Sequence, residues 1–372
     1  MNNMTCPSCG SPMKRNGKTK SGSQRWRCVG CGASATHSID TAARDLAAFV
    51  GWLLSKESQV DMPGQGRTFR RRCARFWAIW PMPEAVDEAC RVVYVDGIWV
   101  ASDCVVLIAC SDEFVLSWHL ARAETTAAWR SLLSRVAAPE VVVTDGGSGF
   151  ASAVAAEWPR TRVQRCVFHA FCQVKRRTTS RPKLQAGVEP YALARELLHV
   201  ETLQQADWWV ERFMQWCEFW SDFLERKSLV EGRMAYTHRR LREARSGLVR
   251  LVNAGTLFTY LDPALCAEGP MPATNNRIEG GVNSQLREVL RSHRGLTKLK
   301  RVKAVFWWCY LHVECPKAMA DTLREMPTDA DVDLLRERYG MRAEDASRPE
   351  KWGEGLVWEE LHHKTRYPFR NE

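Results

Sequence analysis

No stretch of this sequence is apolar for long enough to cross a bilayer. The longest such run lies around Ala304–Leu311, and a spanning helix needs about 20 apolar residues. No amphipathic anchor stands out either, which makes a membrane surface the weaker choice among anionic partners. The start, Met1-Asn2-Asn3-Met4-Thr5-Cys6, lacks the apolar core of a secretion signal. Without that signal, 14 cysteines are expected in a reducing cytosol, which speaks against a disulfide framework.

What the chain has in excess is positive charge. Its formal net charge of +10 favours an anionic partner, nucleic acid first. Its 372 residues give room for two or three domains. A hydrophobic fraction of 45% and 16 tryptophans are enough for substantial cores.

Four of the cysteines form two knuckles, Cys6-Pro7-Ser8-Cys9-Gly10 and Cys28-Val29-Gly30-Cys31-Gly32, separated by an 18-residue loop. Two C-x₂-C knuckles at this spacing fit one structural Zn²⁺, each supplying two thiolates and leaving no open position for water. The loop carries Lys14, Arg15, Lys18, Lys20, Arg25 and Arg27, with Trp26 beside the second knuckle. Residues 1–36 therefore read as a zinc ribbon with a basic face suited to phosphate.

Over 37–90, Asp40–Leu54 has helical spacing in Leu46, Phe49, Val50, Leu53 and Leu54. The turn-rich segment 59–66 leads to a second predicted helix, from about Arg67 to Trp80, which stops before Pro81. It carries Arg67, Arg70, Arg71, Arg72 and Arg75 on one side, and Phe69, Phe76 and Trp77 toward a small core. Helix, turn and arginine-rich helix is the pattern of a helix-turn-helix entering a DNA major groove. Arg67, Arg70, Arg71 and Arg75 are its candidate DNA contacts.

Beyond residue 90 the chain turns to short apolar runs. Val92-Val93-Tyr94-Val95-Asp96-Gly97 reads as a strand ending on a carboxylate and a turn glycine, and Val141-Val142-Val143-Thr144-Asp145-Gly146 repeats the pattern. Strands over 91–95, 104–110 and 114–119 are expected to form an antiparallel meander with one half-buried sheet. A helix over about 124–136, a strand over 141–144, a helix over about 148–158 and a strand over 162–166 follow. The order β-β-β-α-β-α-β is that of an RNase H-like fold. Its first and fourth strands are neighbours, which would bring Asp96 and Asp145 together.

A third acid, Glu279, lies in Thr274-Asn275-Asn276-Arg277-Ile278-Glu279, where Thr274 or Asn275 is placed to cap a helix. Two aspartates at strand ends and a glutamate on a late helix suit a pair of Mg²⁺ ions, with Mn²⁺ able to substitute. Mg²⁺ is hard and takes oxygen ligands, and two ions a few Å apart serve in-line phosphoryl displacement. Asp103 and Asp112 fall in hairpin turns, and Glu288 projects off the Glu279 face. Asn283 and Arg287, at i+4 and i+8 from Glu279, share its face, where a guanidinium would neutralise a scissile phosphate.

Between Asp145 and Glu279 lie 134 positions, room for a helical insertion over 181–270. Trp209, Phe213, Trp216 and Trp220 fall on one helix face, either as a core stripe or as a platform for stacking bases. Lys175-Arg176-Arg177 and Arg181-Pro182-Lys183 mark its entry, and His238-Arg239-Arg240-Leu241-Arg242 with Arg245 its end. These clusters read as a DNA-binding wall. The first part of the core spans 91–180, the second 271–315, and a helical tail covers 316–372. The fold class expected is thus multi-domain α/β, an RNase H-like core with a helical insertion, preceded by a Cys₄ zinc ribbon and a helix-turn-helix.

Cys166-Val167-Phe168-His169 resembles the C-x₂-H signature of Mutator-type DDE transposases, the bacterial insertion-sequence superfamily. The resemblance takes in Asp96-Gly97, Thr144-Asp145-Gly146 and Asn276-Arg277-Ile278-Glu279, so it spans roughly residues 91 to 312. It implies Asp96, Asp145 and Glu279 as the metal-binding triad. It also implies a role for His169 beside the active site, positioning DNA or orienting an acid. Such proteins carry a basic residue two turns after the glutamate, and Arg287 stands one residue late. The resemblance implies an enzyme that binds the terminal inverted repeats of double-stranded DNA, releases a 3′-OH and joins it to target DNA. It would act as a dimer or larger, in the cytoplasm at the nucleoid. Two other readings stay open: an RNase H-like or RuvC-like endonuclease that cleaves without joining, and a non-catalytic DNA-binding regulator.

Overall fold

The structure is a computed structural model that describes residues 4–20, 22–36 and 41–339. Near the N-terminus three short strands, β1 (Met13–Lys18), β2 (Gln24–Cys28) and β3 (Ser34–Thr36), pair antiparallel in that order. The buried side chains here are Cys6, Met13 and Cys28. Too little apolar surface is covered to hold such a unit by itself, the situation in which small folds rely on a metal or cross-link.

Helices α1 (Ala42–Leu54) and α2 (Arg67–Cys73) follow. The second is shorter than expected, giving way to a 3₁₀ turn over Ala74–Ala78. The apolar spacing explains this: Cys73, Phe76 and Ile79 are all buried at intervals of three, the repeat of a 3₁₀ helix. The two helices do not enclose a small core of their own. Phe49 meets Phe76 and Trp77 on one side and Trp307 on the other.

The central sheet is built from β4 (Val92–Ala101), β5 (Cys104–Cys110), β6 (Val115–Ala121), β7 (Val141–Thr144) and β8 (Arg162–Arg165), in the order β6-β5-β4-β7-β8. β4, β5 and β6 are antiparallel, while β7 and β8 run parallel to β4. Helices α3 (Thr126–Leu133) and α4 (Ser148–Glu157) make the crossovers, as parallel neighbours require. The expected element order and the β4–β7 adjacency are both present. Two details differ. β4 does not end at Asp96 but continues to Ala101, because Asp96 and Gly97 still pair with Ile108 and Leu107 of β5. The sheet is also buried on both faces, not one: β5 is buried along its whole length. Val93, Val95, Leu107 and Val142 pack under α3 and α4, while Tyr94, Val106, Ile108 and Val143 face a second core.

After β8 come α5 (Val167–Thr178), α6 (Gln185–Glu196), α7 (Leu203–Phe219), α8 (Ser221–Glu225), a hairpin of β9 (Lys227–Val230) and β10 (Arg233–Tyr236), and α9 (Arg239–Asn253). Trp209, Phe213 and Trp216 are buried with stacked rings, so this stripe is core. The half-buried Trp220 donates Nε1–H to Glu189 at 2.8 Å. α10 (Pro263–Cys266) and a π-helical turn (Arg277–Asn283) lead into α11 (Ser284–Ser292) and α12 (Lys298–Leu311), and α12 covers the second sheet face. α13 (Met319–Glu325) and α14 (Asp329–Tyr339) complete the described chain; positions 340–372 of the predicted tail lie outside the described residues. No described helix is long and apolar enough to cross a membrane.

One buried ion pair joins the ends of the fold. Lys303 on α12 donates to Asp329 at 2.6 Å and also to the Trp77 carbonyl, while Trp80 Nε1–H donates to the same Asp329 oxygen at 2.7 Å. Burial pushes the Lys303 amine down to about 8, against the pull of Asp329. Removing one partner of such a pair strands a buried charge and costs about 3–5 kcal/mol. Lys303→Met is therefore expected to lower the denaturant midpoint sharply. Lys303→Met combined with Asp329→Asn should recover part of that loss; a double variant no better than the single would reject the ion pair as the cause.

Candidate active site and metal centres

The parallel pairing of β4 with β7 runs Val92↔Val141 through Val95↔Thr144, and the next residue on each strand is the aspartate. β8 extends the row, pairing Arg165 with Thr144. Asp96, Asp145 and Arg165 thus arrive at one edge of the sheet by register alone. β7 ends there because Gly146 takes a φ of +87° and turns the chain away; a Cβ at that glycine would collide with the Arg165 guanidinium. Asp96 accepts from its neighbour Gly97 N–H at 2.8 Å and from Asn283 Nδ2–H at 2.7 Å.

Glu279 comes from far along the chain and is held in place by Asn275. This buried residue does not cap the helix as expected. Its Nδ2–H donates to the Val95 carbonyl at 3.0 Å, and its backbone N–H donates to Cys166 Sγ at 3.2 Å. The helix starts instead at Asn276, without a side-chain cap, as a π-helical turn. That wider turn changes which side chains share a face. Asn283 reaches Asp96, whereas Arg287 is exposed on α11 and makes no polar contact with the acids. The guanidinium whose charge acts on Asp145 is that of Arg165. His169, near the start of α5, brings Nδ1 to 3.1 Å from Glu279 Oε1, with the two side chains 23% and 27% exposed. Cys166 first, then Glu279, push the His169 pKa up to about 10.

The carboxylates sense one another. Burial, then Asp145, with Glu279 and Glu124 adding, push Asp96 up to about 7. Burial raises Asp145, opposed by Arg165 and His169. Glu124, which accepts from Trp99 Nε1–H at 3.1 Å, is raised by burial and by Asp145. Arg165 Nη1, Asn275 Oδ1 and Asn283 Oδ1 are buried with no hydrogen-bond partner among the described residues. Partly buried acids in mutual repulsion, ringed by unused polar atoms, suit a bound cation with its water or phosphate ligands. Arg165 and Glu124 were not singled out from sequence, and Asn275 only as a helix cap. The signal for Arg165 existed: it ends the strand next to β7, as Thr144 ends β7 just before Asp145.

In two sets of described residues the ligand atoms lie within 4.8 Å of one another: Cys6, Cys9, Cys28 and Cys31; and Cys166, His169 and Glu279. In the first, Cys6 Sγ is 3.6 Å from Cys31 Sγ and Cys9 Sγ 3.4 Å from Cys28 Sγ. Sulfurs about 2.3 Å from a shared tetrahedral zinc stand only slightly farther apart. Gly30 and Cys31 N–H groups donate to Cys28 Sγ. Hydrogen bonds from Ser11 hold the Cys9 thiol down to about 6; Cys31 is lowered by the Ala33 backbone but pushed up to about 12 by Cys9, Cys28 and Cys6. The four cysteines are compatible with a structural zinc site. Arg67, Arg70, Arg71 and Arg75 are all exposed.

The fold and this site define a mixed α/β protein with a carboxylate cluster at one sheet edge. Residues 90–225 match the family model described as Transposase, Mutator family. Over that span the chain is similar to Mutator-family transposases. Asp96, Asp145 and His169 fall inside the matched span; Glu279 and the four N-terminal cysteines fall outside it. No curated protein matches the chain.

The raised Asp96 carries a stability consequence. Its folded pKa lies above the ordinary 3.8, so the proton is bound more tightly in the folded state. That stabilisation is present at low pH and lost as pH rises through about 7. Metal-free Asp96→Asn is therefore expected to melt a few degrees above wild type at pH 8 and no higher than wild type at pH 4. An Asp96→Asn melting temperature below wild type at both pH values would contradict the raised pKa.

Proposed function

We propose that the chain is a DDE transposase whose catalytic unit is RNase H-like, with Asp96, Asp145 and Glu279 as ligands for two Mg²⁺ ions, Mn²⁺ able to substitute. The observation that carries this reading is the convergence of Asp96 on β4, Asp145 just after β7 and a glutamate 134 positions beyond Asp145, with Asp145 and Glu279 both adding to the burial that raises the pKa of Asp96. When bound, the ions would activate the attacking oxygen and stabilise the leaving one. The chain's own residues supply the rest. Asn283 fixes the Asp96 carboxylate, and His169 orients Glu279. The free Nη1 of Arg165 is available to a scissile phosphate, the role assigned from sequence to Arg287. Water attacks first, releasing a 3′-OH at each element end; that 3′-OH then attacks target DNA at the same site.

DNA would be held by three basic surfaces. The Cys₄ unit with one structural zinc and the exposed arginines of α2 and its 3₁₀ turn would bind the terminal repeats. A cleft of about 480 Å³ is lined by Arg177, Arg181, Lys183, Arg239 and Arg240, among others. There the two basic margins of the insertion meet, although more than 50 residues part them in sequence. Arg177 lies two turns along α5 from His169, about 12 Å at 1.5 Å per residue. A backbone held in the cleft would therefore run toward the acids. The division into ribbon (1–36), helix-turn-helix (37–90), split core (91–180 and 271–315), insertion (181–270) and tail (316–372), the dimeric reacting complex and the nucleoid location belong to this proposal.

The test is a joining assay with purified protein, Mg²⁺, a labelled DNA end from beside the gene and a plasmid target. Covalently joined product, absent with Asp96→Asn and Glu279→Gln, is expected. Cleavage without joining would favour the endonuclease, and binding with neither would favour the regulator. Arg165→Ala should lower the joining rate about 10²–10³-fold, the scale for losing one donor to developing charge, with end binding intact. Arg287→Ala should change the rate far less; the reverse order would reinstate Arg287. Cys28→Ser should lose about one zinc per chain and weaken end binding, and an unchanged zinc content would rule out the ribbon.

A further inference from the structure

We infer that Cys166, His169 and Glu279 form a second zinc site, and that zinc held there withdraws Glu279 from the two aspartates. Three elements supply the ligands: the end of β8, the first turn of α5 and the π-helical turn. Their ligand atoms lie within 4.8 Å of one another, with His169 Nδ1 and Glu279 Oε1 3.1 Å apart. Glu279, Asp96 and Asp145 do not form such a set. In this conformation Glu279 sides with the cysteine and histidine.

The chemistry of the set selects the metal. One thiolate, one imidazole and one carboxylate are the ligands of a three-coordinate zinc site with an open fourth position. Mg²⁺, which demands oxygen, gains nothing from sulfur or nitrogen. The sulfur already accepts the Asn275 backbone N–H at 3.2 Å, a contact that steadies a metal-bound thiolate. Cys166 is buried while His169 and Glu279 are partly exposed, so an ion could enter from the acid side and keep a water there.

Zinc and the Mg²⁺ pair would therefore compete for one carboxylate. The binding claim stands on the three ligands alone; its effect on catalysis rests on the role proposed above for Glu279. The full chain would be dialysed against buffered free Zn²⁺ with excess Mg²⁺ and its zinc content measured. Wild type should hold about two zinc ions per chain, and Cys28→Ser and Cys166→Ser about one each. The partly exposed Glu279→Gln should lose the second zinc at free Zn²⁺ levels where wild type keeps it, which keeps the test sound if Cys166→Ser misfolds. Equal zinc in wild type, Cys166→Ser and Glu279→Gln would overturn the site. In joining assays, half-inhibition should need more Zn²⁺ for Cys166→Ser than for wild type. An unchanged requirement with the second zinc present would overturn the competition. A second zinc in a protein that joins no DNA under any condition would leave the site standing and remove the transposase mechanism instead.

Discussion

The register of β4 against β7 is the constraint on which the site depends. Parallel pairing places Val95 beside Thr144, and the two aspartates follow with no freedom to separate. A slip of one residue would send one of them to the opposite face of the sheet. The register is held because alternate residues on both strands are committed to two different cores: Val93, Val95 and Val142 to one, Val92, Tyr94, Val141 and Val143 to the other. Hydrophobic packing thus holds carboxylates together against their own repulsion, and burial first, then that repulsion, raises the Asp96 pKa.

The glutamate is added by a different device. Asn275 spends its side-chain amide on the Val95 carbonyl, one residue before Asp96, and its backbone N–H on Cys166. One buried residue, through its side-chain amide and its backbone N–H, so ties the late helix to β4 and to the residue that follows β8. The π-helical turn that follows lets both Glu279 and Asn283 face inward. Farther out, the Lys303–Asp329 pair and the aromatic contacts of Phe49 join the N-terminal helices to α12. The region expected to bind DNA is therefore packed directly on the helix that covers the central sheet.

Legibility followed the range of the forces involved. Short valine-rich strands, their order and the tryptophan stripe of α7 were readable because each is a local pattern. Other features depended on distant partners. β4 runs past Asp96-Gly97, a pair that looks like a turn, because β5 continues to pair with it. The sheet's second face appeared exposed because α12, its cover, lies nearly 200 residues on. The β9–β10 hairpin was overlooked: its Leu229, Val230 and Met234 are exposed, so no apolar alternation toward a core announced it. Arg287 was placed by ideal helical spacing, which the π-helical turn breaks.

By itself the sequence determined the candidate chemistry: which acids, which four cysteines, which basic clusters, and the family resemblance that the match over 90–225 bears out. These are properties of residue type and local spacing, and they survive without coordinates. Only the tertiary structure decided which groups meet. It put Arg165 rather than Arg287 beside the acids, drew Glu124 into their field, joined the two basic margins of the insertion in one cleft and set Glu279 against Cys166 and His169. Each of these meetings joins residues that no local periodicity relates, and only packing of the whole chain brings them within a few Å.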